Sequence, residues 1–165
     1  MENLKKHIEN IHEFGLPVVV AVNRFDADTD EELAVVHDKC DYLNVRVIPA
    51  NHWAQGGDGA RELAQVVIDM AENHKADFRL LYEDDMPLWQ KVRTIAQRIY
   101  GASDILADKK LREKFKALQE GGYGHLPICM AKTQYSLSSD PKLLNRPQNF
   151  DVPLRDVRLA AGAGF

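Results

Sequence analysis

One stretch constrains this chain more than any other. The apolar run Val18-Val19-Val20-Ala21-Val22 is bounded by Gly15 and Pro17 before it and by Asn23-Arg24-Phe25-Asp26 after it. A β-branched run of this length ending abruptly in polar residues predicts a strand buried on both faces, the pattern of a parallel sheet. In open parallel sheets, ligands sit in the crevice beyond the carboxyl ends of the strands. Asn23, Arg24, Phe25 and Asp26 therefore stand where a ligand is expected. A large ring such as Phe25 is costly to leave in water. It either folds back onto the core or forms a wall of a site.

Elements alternate around this run. Residues 2–14 read as a helix with Leu4, Ile8 and Ile11 on one stripe. Thr29 and Glu32 form a Thr-x-x-Glu capping box that starts a second helix, with Leu33, Val36, Cys40 and Leu43 at helical spacing. Residues 45–48 are a short strand, and 51–59 are a polar, glycine-rich loop carrying Trp53. Another helix follows, with Leu63, Val66, Val67 and Met70 inward. The acidic stretch 78–86 leads to a helix opening near Pro87, with Leu88, Val92, Ile95 and Ile99 on one face. A further helix spans about 108–120, closed by Gly121 and Gly122. Residues 126–130 read as a third strand and 152–159 as strand-like. Helical crossovers between short apolar strands predict an α/β fold with a parallel sheet covered on both faces. The expected organisation is an α/β segment at 1–77, a helical segment at 78–125, and a strand-and-loop segment at 126–165 that returns to the sheet. The chain opens on a helix with no strand before it and stops in a glycine-rich turn, so it is expected to be a piece of something larger.

Composition narrows the classes. The 165 residues are 45% hydrophobic and 28% charged, as in a globular domain, with a net charge of −4. That balance argues against a general nucleic-acid or acidic-membrane binder. No apolar run is long enough to span a bilayer. Cys40 and Cys129 lie far apart with no Cys-x-x-Cys pair, which predicts free buried thiols in a reducing, cytoplasmic compartment.

Phe25 and Trp53 each follow a strand. If the two strands are parallel neighbours, both rings leave the same sheet edge and can clamp a flat heteroaromatic ligand. The alternative is that each ring covers the end of the sheet. Asn23-Arg24-Phe25-Asp26 is similar to the Asn-Lys-x-Asp base-reading motif of GTPases, but no Gly-x-x-x-x-Gly-Lys-Ser/Thr phosphate loop is present. Gly56-Gly57-Asp58-Gly59 either offers free amides to an anion or makes a tight turn into a helix. Lys132-Thr133-Gln134-Tyr135-Ser136 follows the third expected strand and is polar enough to line a site. The six histidines, His7 and His12 among them, show no metal-ligand spacing.

The chain resembles the formate–tetrahydrofolate ligase (10-formyltetrahydrofolate synthetase) family over nearly its whole length. Asn3-Leu4-Lys5-Lys6-His7-Ile8-Glu9-Asn10, Pro17 through Phe25 and Thr29-Asp30-x-Glu32-Leu33 carry the likeness at the start. Trp53-Ala54-x-Gly56-Gly57, Ile99-Tyr100-Gly101-Ala102 and Leu126 through Ser136 continue it. Arg155-Asp156-Val157-Arg158 and Gly162-Ala163-Gly164-Phe165 complete it. The resemblance implies an ATP-dependent ligase of one-carbon metabolism. Formate is phosphorylated with MgATP, and the formyl group passes from formyl phosphate to N10 of tetrahydrofolate. It implies homotetramers activated by a monovalent cation. It also implies a partial P-loop-NTPase-like sheet flanked by helices, with an additional helical segment. By this resemblance Phe25 and Trp53 sandwich the pterin, and Asn23 with Arg24 contacts the nucleotide. Asp26, Pro49 and Gly57 line the site. Asp26 stands where the family often carries Pro, and Pro49 where an aliphatic residue is usual. The family's phosphate loop and its catalytic lysine and arginine belong to an N-terminal half absent from these residues, so no catalytic residue is assigned. Three readings follow: an inactive C-terminal-half fragment, a non-catalytic folate-binding module, or a structural subunit that completes a split enzyme with that N-terminal half.

Overall fold

The structure of the protein is a computed structural model that describes residues 1–73, 76–131 and 137–165. The chain divides into two compact units, Met1–Arg79 and Leu80–Phe165.

The first unit is built on a parallel pair. Helix α1 (Glu2–Glu13) precedes β1 (Val19–Asn23), α2 (Asp30–Asp41) and β2 (Arg46–Ala50). β1 and β2 pair in parallel, Val19 opposite Arg46 through Asn23 opposite Ala50. Alternate side chains Val18, Val20 and Val22 join Val45 and Val47 on one face. There they pack with Ile8 of α1 and with Val36, Cys40 and Leu43 around α2. Helix α3 (His52–Gln55), a 3₁₀ turn (Gly56–Ala60) and α4 (Arg61–Asn73) follow. Val66 of α4 is buried, as are Ile48 and Ala50. The capping box is present in full: Thr29 Oγ1 accepts from the Glu32 amide (3.2 Å), and Glu32 Oε2 accepts from the Thr29 amide (3.0 Å). Gly15 (φ +69°) faces the returning backbone of Asp77, whose amide donates to the Gly15 carbonyl (3.0 Å), and a Cβ there has no room.

Several expectations are corrected. β1 is not buried on both faces. Ala21 and Asn23 are exposed, because a sheet of two strands has no interior strand. For the same reason the apolar stripe of α4 overhangs its support, and Val67 is 48% exposed. Ile11 likewise lies at the edge of the α1 stripe and is exposed. The loop at 51–59 is instead the short helix α3 and the 3₁₀ turn.

The second unit opens with α5 (Leu88–Ile95), which widens into a π-turn (Ala96–Tyr100) ended by Gly101 in the left-handed region. β3 (Asp104–Leu106), α6 (Lys109–Leu118) and β4 (Asp151–Pro153) follow. Asp108 caps α6, its Oδ1 accepting from the Leu111 amide (2.7 Å). β3, which the periodicity did not reveal, pairs in parallel with β4, Asp104 opposite Asp151 through Leu106 opposite Pro153. Residues 126–130 are not a strand. Pro127 has no amide to give, and the Ile128 amide is taken by the Tyr82 hydroxyl (3.0 Å). Cys129 is exposed, not buried, because Ile128 and Met130 on either side turn toward the core. Cys40 is buried as expected. The core gathers Leu88, Val92, Ala96, Ile105, Leu111, Phe115 and Phe150, and Trp89 packs edge-on against Phe115.

Lys91 organises the loops of this unit. Its side chain is wholly buried, and its ammonium donates to the carbonyls of Asp84 (2.7 Å), Gly124 (2.9 Å) and Leu126 (3.0 Å). The ring of Tyr82 lies 5.6 Å from it. Burial pushes its pKa down, against the pull of the Asp84 and Asp85 carboxylates. Lys91→Met should leave three carbonyls without a donor and cost on the order of 3 kcal/mol. Denaturant unfolding checks this, with the exposed Lys109→Met as the unaffected control.

Two carboxylates of the unit carry a pH dependence. The Ile105 amide and the Arg93 guanidinium hold Asp104 below the usual carboxylate range; Lys114, Arg158 and the Val157 amide do so for Asp156. A lowered folded-state pKa means that the unfolded chain takes up the proton first. This stabilisation is complete at neutral pH and is lost as pH falls from the ordinary carboxylate range down through the lowered folded-state values. Asp104→Asn with Asp156→Asn should flatten the acid side of a Tm-against-pH curve and lower the neutral Tm.

Candidate functional site

Because β1 and β2 end together, the two loops that follow them start side by side. Asn23 lies opposite Ala50, and the Arg24 amide extends the ladder by donating to the Ala50 carbonyl (3.2 Å). The strand-end residues are Asn23, exposed, with half-buried Arg24 and Pro49. Phe25 lies two residues beyond β1 and Trp53 three beyond β2.

The first loop is held by local bonds. The Phe25 amide donates to Asp28 Oδ2 (2.8 Å), and the Asp28 amide donates back to the Phe25 carbonyl (3.0 Å), closing a turn over Asp26 and Ala27. The Arg24 guanidinium reaches Asp30 in the first turn of α2 (2.7 Å). Arg24 is thus engaged with α2, while Asp26 is exposed at the turn tip.

The second loop is held by close backbone approach. The Asn51 amide donates to the Gly59 carbonyl (2.9 Å), and the Asn51 carbonyl accepts from Ala54 (3.2 Å) and Gln55 (3.0 Å). A Cβ on Gly59 would collide with the Asn51 backbone, whereas one on Gly57 would meet open space. Gly56, at φ 59° and ψ −141°, occupies a region that only glycine enters readily. These glycines make the turn from α3 into α4, and Gly57 is left exposed beside it.

Both rings are presented to solvent: Phe25 is 54% and Trp53 75% exposed. Neither touches another aromatic ring among the described residues. Cavities open elsewhere. In the first unit, one of about 360 Å³ is lined by Leu4, Cys40, Tyr42 and Leu43. In the second, one of about 680 Å³ is lined by Tyr100, Phe115, Cys129 and Arg155 among others. Residues Lys132–Ser136, expected to line a site, lie outside the described residues. Among the described residues no group of three or more His, Cys, Asp or Glu is set to hold a metal ion, and no helix is long and apolar enough to cross a membrane. Sequence reasoning passed over Lys91, although the spacing of Leu88, Lys91, Val92 and Ile95 puts it on the buried face of α5.

The profile of the formate–tetrahydrofolate ligase family matches residues 1–165. A relative of that name from Granulibacter bethesdensis is 54% identical over 163 residues, which are 99% of this chain and 28% of that protein. Those from Maricaulis maris and Roseobacter denitrificans are 49% and 50% identical, over 99% of this chain and 29% of theirs. The chain therefore spans less than a third of the length of the curated relatives it matches.

The glycine contrast can be measured. Gly59→Ala should cost about 1–3 kcal/mol by forcing the 3₁₀ turn away from the Asn51 backbone. Gly57→Ala should stay within about 0.5 kcal/mol. Thermal unfolding of the two variants side by side tests this.

Proposed function

The chain belongs to the formate–tetrahydrofolate ligase family, and from that premise we propose that it is a C-terminal-half portion of such a ligase, supplying the pterin side of the site. The in-register ends of β1 and β2 carry the reading, since they start the Phe25 and Trp53 loops from one sheet edge. Two aromatic faces about 7 Å apart would clamp a pterin by stacking on both sides. Pro49 and Gly57 would line the slot, with Asp26 at its rim. Asn23 would read the nucleotide base, with Arg24 anchoring the loop through Asp30. In the full reaction MgATP phosphorylates formate. N10 of tetrahydrofolate then attacks the formyl carbon of formyl phosphate, and phosphate leaves as the new C–N bond forms.

The division of labour follows from the residues present. Phosphoryl transfer depends on cations and backbone amides positioned around the phosphates, and the 165 residues contain no Gly-x-x-x-x-Gly-Lys phosphate loop. The β1–β2 pair would then be part of a larger P-loop-NTPase-like sheet, completed by the N-terminal half. The complete enzyme would be a cytoplasmic homotetramer activated by a monovalent cation. A non-catalytic folate module, or a subunit completing a split enzyme, would use the same two rings.

The test has two arms. The chain alone should form no 10-formyltetrahydrofolate from formate, MgATP and tetrahydrofolate; turnover above background would overturn the assignment of the chemistry to the missing half. In a Trp89→Phe background, tetrahydrofolate should quench Trp53 fluorescence. Phe25→Ala should weaken binding by roughly 1–3 kcal/mol, and so should Trp53→Ala when followed by calorimetry. Phe78→Ala, an exposed ring outside both loops, should not. Equal losses for all three would abolish the clamp.

A further inference from the structure

Phe25 stands out from the protein against the pull on its own side chain. A ring that is 54% exposed gains by folding back onto apolar surface. Opposing that movement is the backbone beneath it, which fixes where the side chain departs. The Phe25 amide donates to Asp28 Oδ2 (2.8 Å), and the Phe25 carbonyl accepts from the Asp28 amide (3.0 Å). Both backbone polar groups of the ring-bearing residue are therefore committed to one residue three positions on.

Asp28 is set apart from its neighbours by burial. Phe25, Asp26, Ala27, Thr29 and Asp30 are exposed, whereas Asp28 is half-buried. A carboxylate turned inward is costly unless donors meet it, and the donor here is the Phe25 amide. The bonds around it serve other ends. Arg24 reaches Asp30 (2.7 Å), and Thr29 with Glu32 caps α2. Neither involves the Phe25 backbone. The Trp53 loop is held differently, by the Asn51 amide on the Gly59 carbonyl, backbone to backbone.

We propose that Asp28 is a positioning residue for stacking at Phe25: its carboxylate fixes the turn, so the ring is already presented when a pterin arrives. This rests on the pterin reading above. It adds to that reading a residue that acts through the ring rather than on the ligand.

A double-mutant cycle separates positioning from general destabilisation. Tetrahydrofolate binding is followed by Trp53 quenching in the Trp89→Phe background. Asp28→Ala should weaken binding roughly five- to tenfold. Asp28→Asn keeps an acceptor oxygen and should bind within about twofold of the parent chain. In a Phe25→Ala chain, Asp28→Ala should have no further effect. Thr29→Ala removes the cap of α2 but neither bond to Phe25, so it should lower the Tm and leave the affinity unchanged. Equal losses from Asp28→Ala with and without the ring, or an equal loss from Thr29→Ala, overturn the proposal. Amide exchange in the absence of ligand keeps the two readings apart. The Phe25 amide should exchange about tenfold faster in Asp28→Ala than in the parent chain or Asp28→Asn. A rate that Asp28→Ala leaves unchanged overturns the positioning role, whether or not tetrahydrofolate binds. Faster exchange in Asp28→Ala, with no quenching by tetrahydrofolate in any chain, sinks the pterin reading and leaves Asp28 as the residue that positions the ring.

Discussion

Parallel pairing of β1 with β2 is the constraint on which the first unit rests. It sets Asn23 opposite Ala50, and the Arg24 amide carries it one step further. A slip of one residue would turn Val18, Val20 and Val22 away from Val45 and Val47, so the apolar face fixes the register. The register in turn fixes where each loop departs. The points from which the Phe25 and Trp53 loops depart are therefore set by the valines of the strand pair. Loop chemistry only refines what the strand pair decides.

The second unit depends on a charge. Among the described residues its two strands contribute three residues each, too few to hold a unit of this size by ladder bonds. Lys91 instead draws Asp84, Gly124 and Leu126 to one ammonium, joining the approach to α5 with the segment after α6. Burying a cation is costly unless each of its protons is satisfied. Here three acceptors meet that requirement, and the lysine becomes a centre that an apolar side chain of equal size would not provide.

What was legible in the sequence follows from what periodicity encodes. Thr29 and Glu32 act on their own neighbours, so the capping box was readable without any knowledge of the fold. The stripe of α2, the face of α5 and the run of β1 were readable on the same local grounds. Burial of Ala21 and Val67 was not, because it depends on how many strands lie beside or beneath them. β3 escaped notice because Asp104 interrupts its apolar character, and that carboxylate is instead held by Arg93 (2.9 Å). Residues 126–130 look apolar enough for a strand, yet Tyr82, more than forty residues earlier, takes the amide that a ladder would need. Of the candidate site, the residue types and their sequence positions were legible. The bonds that hold the loops, Asp28 to Phe25 and Gly59 to Asn51, depend on backbone geometry that residue types do not encode.

The bonds around Phe25 have a thermodynamic consequence. Its amide and carbonyl are both committed to Asp28, and Arg24 beside it is tied to Asp30. The turn beneath the ring is closed by bonds within the chain, so a ligand held there would leave mainly side-chain torsions to be frozen. Ordering a loop at the moment of association subtracts directly from affinity. For this loop the backbone part of that ordering would already have taken place on folding. Complex formation at this edge should then proceed without a slow loop-closure phase, and differences in affinity among ligands should be expressed in how long each stays bound rather than in how fast it arrives.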